Sequence, residues 1–137
     1  MHHASIRTTD IHRAMAFYEL LGFDVVERFT AGITLACWME GLGGRIELIQ
    51  VPEPKPAADA FSDEHYTGYY HLSFDLTQRA QSLPVWLDEL RQYAVSRNMP
   101  LTVLLEPRQQ MIGEHVYEVA FIADNDGLPL EFLRRLK

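Results

Sequence analysis

The sequence has a single cysteine, Cys37, in 137 residues. No disulfide can form within the chain, and no second thiol is available for a zinc knuckle or a redox pair. Basic charge is also scarce. Twelve Lys and Arg stand against 19 Asp and Glu, a net charge of −7, which leaves little to neutralise phosphates or anionic lipid. Nucleic acid and membrane surfaces are therefore not expected as partners, and a small molecule is. There is no run of about 18 uninterrupted apolar residues and no charged-then-apolar leader, so neither membrane spanning nor secretion is expected. A cytoplasmic location fits the lone thiol. Polar low-complexity sequence is lacking too: 47% of residues are hydrophobic and 11% aromatic, enough to bury one sizeable core and to exclude disorder as the main state.

What is present is a change of periodicity that occurs twice. A strand is expected over His3 to Thr8. Thr9 or Asp10 then caps a helix with Ile11, Ala14, Phe17, Tyr18 and Leu21 at helical spacing, and Gly22 stops it. Three β-rich runs follow, Asp24 to Phe29, Ile33 to Met39 and Arg45 to Val51, as an antiparallel set. Pro52, Pro54 and Pro56 open an extended connector. Beyond it come a strand over Tyr69 to Leu76 and a helix over Ser82 to Asn98 with Pro84 in its first turn. Strands over Leu101 to Leu105, His115 to Ala123 and Pro129 to Leu133 complete the pass, the last two joined by Asp124-Asn125-Asp126-Gly127. The expected fold is α+β, a single domain over residues 1–137 built of tandem βαβββ modules: module 1 about 1–52, a connector about 53–68 and module 2 about 69–137. Curved half-sheets of this kind can enclose a cleft. Periodicity alone equally allows an ordinary α+β domain without one.

The polar residues that interrupt the strands favour the cleft. His3, Ser5 and Arg7 share one strand face, and His71, Ser73 and Asp75 another, because residues two apart in a strand point the same way. Glu47 stands between apolar Ile46 and Leu48, and Glu131 between Leu130 and Phe132. Each half thus opens on a histidine and carries a glutamate in its last strand. If the halves are related by a pseudo-twofold, His3, Glu47, His71 and Glu131 meet as two imidazoles and two carboxylates. That set suits a divalent transition metal, Ni²⁺, Zn²⁺, Co²⁺, Mn²⁺ or Fe²⁺. Any one of the four, taken singly, reads as a solvated or edge residue, and it is the matched repeat that carries the assignment. Trp38, Met39 and Phe121 are expected to wall the cleft. His12, His65 and His115 lack the placement, and His2 is expected to point away from His3.

At these residues the sequence resembles the vicinal oxygen chelate superfamily, which includes glyoxalase I, extradiol dioxygenases, epimerases and antibiotic-resistance proteins. The resemblance rests on His3-Ala-Ser-Ile-Arg7-Thr-Thr-Asp10-Ile, Phe17-Tyr18-Glu-Leu-Leu-Gly22-Phe, Arg45-Ile-Glu47-Leu, His71-Leu-Ser-Phe-Asp and Phe121-Ile-Ala-Asp124-Asn-Asp126-Gly127-Leu-Pro-Leu-Glu131-Phe, in that order along nearly the whole chain. It implies paired βαβββ modules around a metal. Glutamate at the second ligand position, Glu47, is similar to glyoxalase I, and Arg7 matches a basic residue used there for the glutathione carboxylate. The implied activity is conversion of a 2-oxoaldehyde thiol hemithioacetal, such as that of glutathione, to a 2-hydroxyacyl thioester through an enediolate. Glu131 would be the base and Glu47 its counterpart. Val51 replaces the asparagine expected four residues after the second ligand, which leaves the thiol open. The resemblance also implies a homodimer. The alternatives are an Fe²⁺ extradiol-type dioxygenase with Glu47 outside the metal shell, and a non-catalytic drug-binding protein of the same fold.

Overall fold

The computed structural model describes residues 1–136 and divides the chain into two compact units, Met1–Ala57 and Ala58–Lys137. In the first unit the elements are β1 (Ala4–Thr8), α1 (Ile11–Leu20), β2 (Asp24–Ala31), β3 (Thr34–Gly41) and β4 (Gly44–Gln50). They make a four-stranded sheet ordered β1-β4-β3-β2, with β1 parallel to β4 and the remaining pairs antiparallel. Asp10 caps α1 by accepting from the backbone N–H groups of His12 and Arg13 at 3.0 and 3.2 Å, the ordinary remedy for unpaired donors in a first turn. Gln50 Oε1 adds an acceptor for the Ile11 N–H at 2.9 Å, which ties the helix start to β4. At the other end Gly22 adopts a φ of 93°, and the Phe23 N–H reaches back to the Tyr18 carbonyl at 3.1 Å. A side chain at Gly22 would be strained in that left-handed conformation.

The apolar stripe of α1, Ile11, Ala14, Met15, Phe17 and Tyr18, is buried together with Ile6, Cys37, Met39, Ile46 and Leu48 of the sheet. Because side chains alternate along a strand, this burial turns Glu47 to the opposite face. Met39 is 0% exposed, which corrects its expected place on a cleft wall: it alternates with Trp38 and belongs to the core. Burial pushes the Cys37 thiol up, with Arg28 and a hydrogen bond to the Leu48 backbone pulling the other way. The reactive thiolate is therefore scarce at neutral pH and grows as pH rises. We expect Cys37 to react with an aromatic disulfide reagent at pH 7 only slowly in the folded protein and rapidly in denaturant; fast labelling of the folded chain would contradict its burial.

The second unit repeats the plan with β5 (Leu72–Asp75), α2 (Leu83–Ser96), β6 (Thr102–Ile112), β7 (His115–Ala123) and β8 (Pro129–Arg135), in the sheet order β5-β8-β7-β6. Again the first strand runs parallel to the last. Ser82 caps α2, and Pro84 occupies its first turn. Glu118 accepts from the Leu83 N–H at 3.2 Å and from Arg134 Nη1 at 2.8 Å, so β7 and β8 together hold the helix start. Leu83, Leu87, Leu90 and Ala94 of α2 are buried, as are Val119, Ile122, Leu130 and Phe132 of the sheet. Neither sheet closes on itself.

Two elements differ from the sequence expectation. The strand placed over Tyr69 to Leu76 is confined to β5, and Tyr69 and Tyr70 are 107% and 45% exposed. Their aromatic character suits a strand, but they precede the ladder with β8. In contrast, β6 runs seven residues past Leu105 through a polar stretch. Its pairing with β7 shifts register between Leu105 and Arg108, around Pro107. Proline lacks a ladder donor and is accommodated at such an irregularity.

Candidate functional site

The first unit brings two of the four candidate ligands together. His3 lies just before β1, two residues ahead of Ser5, and Ser5 pairs in register with Glu47 on the parallel strand β4. His3 Nε2 is 3.5 Å from Glu47 Oε1. Ser5 Oγ donates to Oε1 of the same carboxylate at 2.9 Å, and the Trp38 indole N–H donates to Oε2 at 2.9 Å from β3 on the other side. These donors, the indole foremost, hold the Glu47 carboxyl below the usual carboxylate range against the opposing effect of burial.

His2 is not turned away from His3. Its Nδ1 is 2.7 Å from His3 Nδ1, and the two rings meet edge to face at 5.0 Å. Arg45, which can only donate, reaches His2 Nε2 at 2.6 Å and Glu40 at 2.8 Å, and lies 5.8 Å over the Trp38 ring. The outward turn expected of His2 gives way because this anchored ring finds both a nitrogen partner and an aromatic one, Trp38, at 5.0 Å.

The second unit repeats the arrangement. His71 lies just before β5, two residues ahead of Ser73, and Ser73 pairs in register with Glu131 on the parallel strand β8. Ser73 Oγ donates to Glu131 Oε1 at 2.7 Å. His71 Nδ1 lies 3.4 Å from the Leu72 carbonyl; in the tautomer that places the proton there, Nε2 keeps the lone pair a cation needs. Its ring packs edge-on against Phe121 at 4.9 Å and Tyr70 at 4.4 Å. Burial and the Glu131 charge push the Tyr70 phenol above its ordinary range. Phe121, expected as a wall residue, is 7% exposed, and its register partner across the ladder is Glu131.

Arg7 is exposed on β1, on the Ser5 face, and among the described residues no carboxylate lies within ion-pair distance of it. His12, His65 and His115 are exposed, and His115 meets Arg135 at 2.9 Å. Within either unit, the described residues include no group of three or more His, Cys, Asp or Glu side chains able to hold a metal ion. Of the four candidate ligands, each unit supplies one imidazole and one carboxylate, a donor pair of the right chemistry but half the number a tetrahedral site needs. The serines were not singled out from sequence, although His-x-Ser opening both halves was the signal that could have found them.

The family model of the Glyoxalase/Bleomycin resistance protein/Dioxygenase superfamily matches residues 1–132. The chain belongs to this superfamily. No curated protein matches the sequence. Solved structures share its fold at low identity. A glyoxalase family protein from Enterococcus faecalis has a TM-score of 0.71 at 19% identity, covering 98% of this chain and 96% of its own. A glyoxylase/bleomycin resistance protein/dioxygenase domain from Frankia sp. EAN1pec has a TM-score of 0.72 at 20% identity, covering 99% and 97%. A glyoxalase I mutant from Zea mays has a TM-score of 0.68 at 18% identity, with all of this chain matching 45% of that one. Within the superfamily the chain is an α+β protein of tandem modules, and none of its described helices is long and apolar enough to cross a membrane.

Proposed function

We propose that this superfamily member is a metal-dependent, glyoxalase I-like isomerase that converts a 2-oxoaldehyde thiol hemithioacetal to a 2-hydroxyacyl thioester. The observation that carries the reading is the duplicated half-site, His-x-Ser leading into the first strand and a serine-bonded glutamate in register on the last. His3, Glu47, His71 and Glu131 would hold one divalent ion, from one chain or across a homodimer. Each unit contributes one imidazole and one carboxylate to that set. When bound, the ion supplies Lewis-acid polarisation of adjacent substrate oxygens and stabilises developing negative charge.

The chain's own residues account for the proton movement. Glu131 removes the proton from the carbon that bears the hydroxyl and the sulfur, giving the enediolate, and returns it to the neighbouring carbon; the hydroxyl passes its O–H proton to the former ketone oxygen, so that the first oxygen becomes the thioester carbonyl and the second the new hydroxyl. Glu131 has one side-chain donor, Ser73, among the described residues, so it can turn toward a substrate more readily than Glu47, held at both oxygens. Arg7, without a carboxylate partner among the described residues, is suited to a substrate carboxylate. Val51 sits where the resemblance expects asparagine, so the test offers several thiols. Methylglyoxal is incubated with glutathione or other thiols and saturating Ni²⁺, Zn²⁺, Co²⁺ or Mn²⁺, and thioester formation is followed. Turnover with at least one combination is expected; none with any combination would defeat the isomerase reading.

A further inference from the structure

The two glutamates occupy equivalent places, each central in its sheet with a serine in register on the parallel strand. What faces them from the antiparallel strand differs. Trp38 faces Glu47, and Phe121 faces Glu131. The indole carries an N–H and gives it to Glu47 Oε2 at 2.9 Å, whereas a phenyl ring has no donor to give. Glu47 is consequently bonded at both oxygens. Glu131 is bonded at one, through Ser73, and has no side-chain donor on its second oxygen among the described residues.

We propose that the Trp38/Phe121 difference divides the labour of the two carboxylates: Trp38 is a positioning residue that fixes Glu47 as a static ligand, and Phe121 leaves Glu131 free to move. The inference rests on the reading that both glutamates serve one cation. The two units repeat the serine and the parallel register around each glutamate; besides the facing aromatic, they differ in that His3 lies 3.5 Å from Glu47 Oε1, the oxygen Ser5 already bonds, so the bond to Oε2 is Trp38's alone. A carboxylate with two donors from two strands loses little orientation when one is removed, and a carboxylate with a single donor loses its tether. Outer partners of ligands commonly contribute 10–100-fold to metal affinity.

The test has two arms. In metal-free protein labelled with ¹⁵N at tryptophan, the Trp38 indole resonance, told from that of Trp86 by Trp38→Phe, should move upfield in Glu47→Gln while the Trp86 resonance stays. An unmoved Trp38 resonance would overturn the proposal, whether or not the protein binds metal. In the second arm, Ni²⁺ affinity is measured by competition titration. Ser73→Ala should weaken binding roughly 10–100-fold and Ser5→Ala by clearly less, while Ser5→Ala combined with Trp38→Phe should lose as much as Ser73→Ala. Ser73→Thr, which keeps the hydroxyl, should restore affinity. Equal losses for Ser5→Ala and Ser73→Ala would overturn the proposal. Absence of Ni²⁺ binding in the unaltered protein would instead defeat the metal site itself and leave the first arm to decide the clamp.

Discussion

Glu131→Gln is expected to lower kcat by roughly 10²–10⁴-fold, the usual worth of a positioned general base, while the protein still takes up metal. An amide oxygen can coordinate a cation and accept the Ser73 hydroxyl bond, but it cannot take a proton at neutral pH. The same change at Glu47 should act mainly through affinity, because that carboxylate is tied to Ser5 and Trp38 at 2.9 Å each and is assigned a holding role. Raising the metal concentration should therefore recover much of the Glu47→Gln activity and little of the Glu131→Gln activity. Measuring kcat for both at saturating metal checks this. If Glu131→Gln matched the unaltered protein once metal was restored, the base would have to be sought elsewhere.

Phe132→Ala should have the largest effect on stability. Phe132 follows Glu131 in β8 but points to the other face, where it is 0% exposed and meets Trp86 at 4.8 Å and Phe74 at 5.6 Å between ring centroids. Replacing a buried phenylalanine by alanine costs about 3–5 kcal/mol, through lost transfer energy and the cavity left behind. Urea unfolding should show that loss as a lower midpoint, and Phe132→Leu, which keeps most of the volume, should lose less. A loss under about 1 kcal/mol would mean that this ring is not the centre of the second unit's core. The two neighbouring substitutions thus separate chemistry from stability along one strand.

Much of this was legible in the sequence because it depends on local rules. The cap at Asp10, the stop at Gly22 and the strand over His115–Ala123 follow from residue type and periodicity, and the structure places them as expected. Alternation alone put Glu47 and Glu131 on faces opposite the core residues that flank them. What sequence could not supply was register. The bonds from Ser5 to Glu47 and from Ser73 to Glu131 join residues 42 and 58 positions apart, and only the pairing of first strand with last brings them together. For the same reason Trp38 looked like a wall and proved to be a donor. Polar residues after Pro107 concealed the length of β6, and tyrosines at Tyr69 and Tyr70 overstated that of β5. His2 was misplaced because the anchor that holds it, Arg45, is 43 residues away.

We propose that His3, Glu47, His71 and Glu131 act on one cation. It is tested most directly by the stoichiometry and affinity of Ni²⁺ binding in the unaltered protein and in His71→Ala, with far-UV circular dichroism confirming that both fold. One ion per chain is expected in the unaltered protein and a loss of binding in His71→Ala, although His71 lies in a different unit from His3 and Glu47. Unchanged stoichiometry and affinity in a folded His71→Ala protein would contradict it.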